Sequence, residues 1–314
     1  MKIIFFGTPE FGAIILDGLV SAGLSPALVI TEPDKPVGRK QIVTPLPVKV
    51  LAKKYNIPVM QSERVADCKS EVENLKPDLG IVAAYGQMLP QNLLDIPKFG
   101  FLNVHPSLLP KYRGPSPIQS AILSGEEETG VTIMLVSKKM DAGPILANGK
   151  KQLTSNIIYR ELHDELANLG AELLVKTVPD WVEGKIKPQE QNEAEATYTN
   201  IIKKEDGYID WEKDASYIER QVRALNPWPG TFTKFEIKGL LKTIKVLKSN
   251  VLKQTGDGPF GDPGKTFLGT NDKIAVQTGK DFLIIEELQV EGKKPLATID
   301  FLRGHQDFIG TIFQ

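Results

Sequence analysis

Cysteine is almost missing from this chain: Cys68 is the single one among 314 residues. One thiol excludes an internal disulfide and any multi-cysteine metal site, and it suits a reducing compartment. Histidine is nearly as scarce, with three in the whole sequence. A surplus of one charge sign is absent too. The net charge of −1 says nothing about partners, so any nucleic-acid contact must come from a local patch. No apolar run approaches the roughly 20 residues that a membrane-spanning helix needs. The opening MKIIFFGTPEFG enters a strand pattern at once and leaves no room for a signal or transit peptide, so a cytoplasmic location is expected.

What is present is ordinary and ample. A hydrophobic fraction of 41% and a charged fraction of 25% belong to a globular protein with a sizeable core. The length suggests two domains. KIIFFG, PALVIT, PDLGIVAAYG, FGFLNVHPSLLP and GVTIMLV read as strands, and helical patterns fall between most of them. Strands alternating with helices predict an α/β domain with a mostly parallel sheet. A longer amphipathic helix should place Ile158, Leu162, Leu166, Leu169 and Leu173 on one face. Composition turns polar and aperiodic near residues 188–206, as in a linker. Beyond it come short β-like runs broken at Lys238-Gly239, Asn271-Asp272 and Thr278-Gly279, which predict a small β-barrel or sandwich.

Five stretches could carry chemistry. In FFGTPEFG a strand, a glycine turn and a helix would form an anion-binding end. The glycine spacing is not that of a dinucleotide site, which favours a plain βα turn. In FLNVHPSLLP, Asn103 and His105 share one face of a strand that Pro106 must end. An isolated histidine beside apolar residues is most often a satisfied core residue. Here its partner amide and its place at a strand end, where open parallel sheets bind ligands, argue for function. Asp141, in KKMDAGPIL, sits just past another strand end. It is either a turn former or a group that orients His105 and exchanges protons. The long loop TEPDKPVGRKQIVTPLPVK carries Arg39 and Lys40 and is either a solvated connection or functional. Lastly, lysines 234, 238, 242, 245, 248 and 253 face only Glu236 along their stretch. Both a solubilising role and a phosphate-backbone contact stay open for them.

Asn103, His105, the SLLP segment at 107–110 and Asp141 in DAG together resemble the 10-formyltetrahydrofolate-dependent formyltransferase family. FFGTPEF, PDKPVGRK, PSPIQSAI, ETGVTIM and NPWPGTF extend the likeness over nearly the whole chain, toward the branch that formylates methionyl-tRNA. The resemblance implies a Rossmann-like catalytic domain over 1–189, a linker over 190–206 and an OB-like tRNA-binding barrel over 207–314. It implies that Asn103, His105 and Asp141 are catalytic. It implies that Ser107, Leu108, Leu109 and Pro110, with Met88 and Leu89, contact folate. Arg39, Lys40, Lys242, Lys245 and Lys248 would then contact tRNA. The expected co-substrate is 10-formyltetrahydrofolate without a metal, the acceptor initiator methionyl-tRNA, and the oligomeric state a monomer. Competing readings are a formyltransferase for a nucleotide-linked amino sugar or glycinamide ribonucleotide, a nicotinamide oxidoreductase, and a non-enzymatic RNA-binding module.

Overall fold

The computed structural model describes residues 1–38, 41–237, 240–254, 261–269 and 272–314. Two compact units emerge. The first holds Met1–Pro117, Glu127–Leu153 and Glu161–Asn200, and the second Ile118–Glu126, Thr154–Arg160 and Ile201–Gln314.

The first unit opens with β1 (Ile3–Gly7), α1 (Glu10–Ser21) and β2 (Leu28–Thr31). A hairpin of β3 (Lys35–Val37) and β4 (Ile42–Thr44) follows, then α2 (Pro47–Lys54) and β5 (Val59–Gln61). Next come α3 (Lys69–Leu75), β6 (Leu79–Ala83), α4 (Gln91–Leu94) and β7 (Phe101–His105). After α5 (Pro117–Ser124), which belongs to the second unit from Ile118 onward, the first unit resumes with β8 (Glu128–Leu135), β9 (Ile145–Gln152) and most of α6 (Tyr159–Val182). Seven of these strands form one sheet in the order β5-β2-β1-β6-β7-β8-β9. The pairs from β5 to β7 are parallel, and β7-β8 and β8-β9 are antiparallel. All five residues of β1 and all five of β6 are buried, which is why their sequences are continuous apolar runs: helices cover both faces.

Two details differ from the pattern read in the sequence. Ile158 precedes α6 and is exposed, while the helix buries Leu174 and the small residues Ala167, Gly170 and Ala171. Small residues serve there because α1 comes very close: a Cβ on Gly18 would lie 2.7 Å from the Ala171 Cβ. The basic loop is also more ordered than a bare connection. Its ends form the β3-β4 hairpin, and Asp34 is tied to Lys49 at 2.5 Å and to Gln61 at 3.0 Å.

The second unit carries α7 (Ala215–Leu225), β10 (Thr231–Ile237), β11 (Leu240–Leu252), β12 (Thr266–Leu268), β13 (Ile274–Gln277), β14 (Phe282–Val290), β15 (Leu296–Ala297) and α8 (Thr298–Gly304). The sheet is antiparallel in the order β10-β11-β14-β13-β12, with β15 on β14. The last residues close it into a barrel. Gln314 exchanges backbone hydrogen bonds with Lys234 of β10, while Phe313 N–H and Thr311 O bond Gly264 and Thr266 on the β12 side. Closure removes the open edges and makes one aromatic-rich core, where Phe235, Phe308 and Phe313 meet Trp211. Of the turns expected from sequence, Lys238-Gly239 and Asn271 lie outside the described residues, and Thr278-Gly279 joins β13 to β14.

Candidate active site

The site forms at the C-terminal ends of β1, β6 and β7, where an open parallel sheet leaves a crevice. Thr8 follows β1 and ties three strand ends together. Its hydroxyl donates to the Tyr85 carbonyl at 3.2 Å and accepts from the Thr31 hydroxyl and the Glu32 N–H. This accounts for the glycine–threonine turn at the first strand end as a structural knot. A cavity of about 560 Å³ opens beside it, within the range of small-molecule sites. Val82, Leu89, Met134, Val136 and Met140 give it apolar walls, and Asn103, His105 and Asp141 supply polar groups.

Alternation along β7 puts Asn103 and His105 on the cavity face, as the sequence predicts. Antiparallel pairing sets Asn103 opposite Met134 and His105 opposite Thr132. Asp141 comes from the loop between β8 and β9. Its Oδ1 lies 3.5 Å from the Asn103 Nδ2, and its Oδ2 lies 3.7 Å from the His105 Nδ1. The Gly114 N–H donates to the same Oδ2 at 2.8 Å, a charge-assisted bond that fixes the carboxylate. His105 is 5% exposed, and its Nε2 lies 3.0 Å from the Tyr112 carbonyl oxygen. A carbonyl only accepts, so Nε2 carries a hydrogen. A neutral ring then turns its Nδ1 lone pair toward Asp141, and a protonated ring turns an N–H there.

Three backbone positions at or beside the cavity are strained. Ala84, Tyr112 and Asp141 all take left-handed φ angles, at 48°, 60° and 48°. For residues other than glycine this conformation costs free energy; Ala84 and Asp141 line the cavity, and the Tyr112 carbonyl meets His105. Gly143 shows how tightly the Asp141 loop is drawn in: a Cβ there would stand 1.8 Å from the Leu135 carbonyl oxygen.

Residues 1–178 match the model of the formyl transferase family, and residues 201–306 match that of the formyl transferase C-terminal domain. The chain belongs to the formyl transferase family. A methionyl-tRNA formyltransferase of Citrifermentans bemidjiense is 43% identical over 308 residues, covering 98% of this chain and 94% of the relative. One of Caldanaerobacter subterraneus subsp. tengcongensis is 41% identical over 317 residues and covers all of both chains. The fold is that of an N-formyltransferase from Helicobacter canadensis solved with folinic acid and dTDP-3-aminofucose, at a TM-score of 0.65 and 20% identity over 91% of this chain and 98% of that one. HypX from Aquifex aeolicus, solved with tetrahydrofolic acid, has a TM-score of 0.61 at 19% identity. That match covers 98% of this chain and 48% of HypX, so the chain spans about half of HypX.

The other predicted site residues of this formyl transferase divide between the cavity and its surroundings. Met88 and Leu89 line the cavity. Ser107, Leu108, Leu109 and Pro110 stand behind it. Thr132 on β8 donates its hydroxyl to the Ser107 carbonyl at 2.7 Å and accepts from the Leu109 N–H at 3.1 Å. Leu108 packs where Gly130 has no side chain. The segment thus anchors the loop whose Tyr112 carbonyl holds His105. Arg39 and Lys40 lie outside the described residues.

The lysines do not make one patch. Lys245 sits opposite Phe232 and Lys242 opposite Phe235, on alternate faces of β11. Nor is the stretch as one-sided as its sequence reads, because acids arrive from β14 and its neighbouring turn. Lys248 lies 3.3 Å from Glu286, and Lys253 lies 2.8 Å from Asp281.

A group that sequence reasoning missed packs beside the three central residues. Residues 189–200, read as linker, fold into the first unit. Arg113 N–H donates to the Thr197 carbonyl at 2.9 Å and Thr199 N–H to the Arg113 carbonyl at 2.7 Å. The Arg113 side chain is 1% exposed, yet all five of its N–H groups find acceptors on Gln191, Glu193 and Tyr198. Those bonds hold the Glu193 carboxyl below the usual carboxylate range. The tie is therefore complete above the ordinary carboxylate pKa and is lost only as pH falls through the lowered one. Nothing in the spacing of PQEQNEAEATYTN marks these residues. The one available signal is an arginine beside a glycine in KYRGPSP, which predicts a tight turn and not a buried charge.

Proposed function

We propose that this chain transfers the formyl group of 10-formyltetrahydrofolate to the α-amino group of initiator methionyl-tRNA, in the cytoplasm and as a monomer. The observation that carries the reading is the convergence of Asn103, His105 and Asp141 on one apolar-walled cavity. The methionyl-tRNA acceptor follows from the names of relatives above 40% identity along the whole chain.

The folate co-substrate fits the cavity by volume and by its apolar lining, with Met88 and Leu89 on the wall that would receive it. It supplies a formyl group carried on nitrogen, which an amine can attack. Asn103 then donates an N–H, from its fixed place on β7, to the oxygen that gains negative charge. His105 sits alongside it. With Nε2–H committed to the Tyr112 carbonyl, only Nδ1 is left to hold a proton, and that proton faces Asp141. Asp141 takes the proton that the α-amine must lose and returns one to the folate nitrogen that must leave.

The two positively charged regions are proposed to hold the tRNA. Replacing Lys242 and Lys245 together by glutamine is expected to weaken tRNA binding and to lower the slope of log K against log salt by about 0.9, the share of one phosphate contact, since the two lysines lie on opposite faces of β11 and one face meets the tRNA. Lys248→Gln should add less, because Lys248 lies 3.3 Å from Glu286, a carboxylate it shares with Lys273. Binding measured across a salt series decides this, and an unchanged slope in the double variant would assign these lysines to solubility.

Arg39 is proposed to place the acceptor end by pairing with phosphate or stacking on a base. Arg39→Ala should reduce transfer strongly and leave folate affinity unchanged, with only partial recovery in Arg39→Lys. Steady-state rates beside folate titration test this. Normal transfer by Arg39→Ala would make the hairpin an ordinary surface connection. The proposed acceptor itself is tested by offering methionyl-tRNA and a nucleotide-linked amino sugar side by side with the same formyl donor. Formylation of the sugar alone would contradict the reading.

A further inference from the structure

We infer that Gln191 is a positioning residue that holds Asp141 in register with His105, and that Arg113 locks it in that task. The inference rests on the reading of Asp141 as the proton-carrying group.

Gln191 spends both ends of its amide on this site. Its Oε1 accepts from the Arg113 Nε at 3.0 Å and Nη2 at 2.8 Å. Its Nε2 donates to the Asp141 carbonyl at 2.9 Å and to the Gly143 carbonyl at 2.7 Å. The orientation of the amide is therefore fixed from both sides: guanidinium N–H groups need an oxygen, and carbonyls need a nitrogen. The two carbonyls it holds flank Ala142, in the turn that draws Asp141 into its left-handed conformation. A residue at φ 48° keeps that angle only where its surroundings demand it. The Gln191 amide supplies that demand on the backbone, and the Gly114 N–H supplies it on the carboxylate.

Arg113 completes a closed ring of contacts. It lies one residue after Tyr112, whose carbonyl holds His105, and one before Gly114, whose N–H holds Asp141. Its guanidinium then grips Gln191, which grips the Asp141 turn. The His105 side and the Asp141 side of the site are thus joined by side chains as well as through the sheet. The gap they set, 3.7 Å between His105 Nδ1 and Asp141 Oδ2, fixes where the proton-carrying carboxylate stands relative to the imidazole. Small errors in such a gap are costly: a misplacement of about 1 Å can lose roughly 10² in rate.

The test is a double-mutant cycle in the full chain. Gln191→Glu keeps the oxygen that Arg113 needs and replaces the donor to the two carbonyls by a second acceptor. It is expected to lower kcat by about 10–10²-fold with KM for methionyl-tRNA unchanged. In the Asp141→Asn background the same change should cost less than about twofold, because residues acting through one another are not additive. Glu193 has 62% of its side chain exposed, and Glu193→Gln keeps an oxygen for the buried Arg113 while removing the charge, so it loosens the same ring, with thermal unfolding read beside the rate to show that the variant is folded. It should lower kcat several-fold and lose that effect in the same background. Equal losses in both backgrounds, or an unchanged kcat in both variants, would overturn the inference while leaving Asp141 in its role. A normal rate in Asp141→Asn alone would overturn the reading of Asp141 itself, and the coupling with it.

Discussion

Replacing His105 by alanine is expected to cut formyl transfer by about 10²–10³-fold while the protein still folds, and Asn103→Ala should do the same. The size follows from the geometry. Each side chain projects into the cavity from a strand whose other residues, Phe101, Leu102 and Val104, are core. The fold therefore keeps its apolar contacts when either polar group is removed. His105 gives up one hydrogen bond, to the Tyr112 carbonyl, worth about 1 kcal/mol of stability. Its loss from the reaction is far larger, because the ring holds the only imidazole nitrogens at the cavity. Rates at saturating formyl donor, read beside thermal unfolding, separate the two effects. Near-normal turnover in either variant would make the pair structural.

Asp141→Asn is expected to lose about 10²–10⁴ in turnover, the usual contribution of a positioned acid or base. Asparagine is the mildest change available here. It tolerates the left-handed backbone that Asp141 takes, and its carbonyl oxygen can still accept from the Gly114 N–H. What it cannot do is receive a proton, and its new N–H₂ faces the Asn103 amide nitrogen, donor against donor. Folate affinity should change little, since the apolar cavity walls are untouched. The expected signature is a low kcat with a normal folate KM. Full activity with an unchanged pH profile would reduce Asp141 to a turn residue.

Much of this was legible in the sequence, for a definite physical reason. A strand buried on both faces must be a continuous apolar run, so β1 and β6 announce themselves. A polar pair spaced by two on such a run must share a face, and a proline must end it, so the sequence alone puts Asn103 and His105 together at a strand end. β9 was not legible, because it lies at the sheet edge and its residues alternate only weakly between half-buried and exposed. The hairpin within the basic loop escaped as well, since β4 is exposed along its whole length. The strap over 189–200 was read as a linker because it has no period at all. Its order comes from a buried guanidinium 78 residues away, and that kind of partnership leaves no local trace. The lysine stretch misled in the opposite direction. Its acids, Glu286 and Asp281, come from β14 and the turn before it, which only the sheet brings alongside.

The central claim is tested most directly by incubating the purified chain with methionyl-tRNA and 10-formyltetrahydrofolate labelled in the formyl carbon, then measuring label on the methionine amine. The account predicts N-formylmethionyl-tRNA from the unmodified protein, at a rate about 10²–10³-fold above that of His105→Ala. Unlabelled methionine in both, or equal labelling by the two proteins, would contradict it.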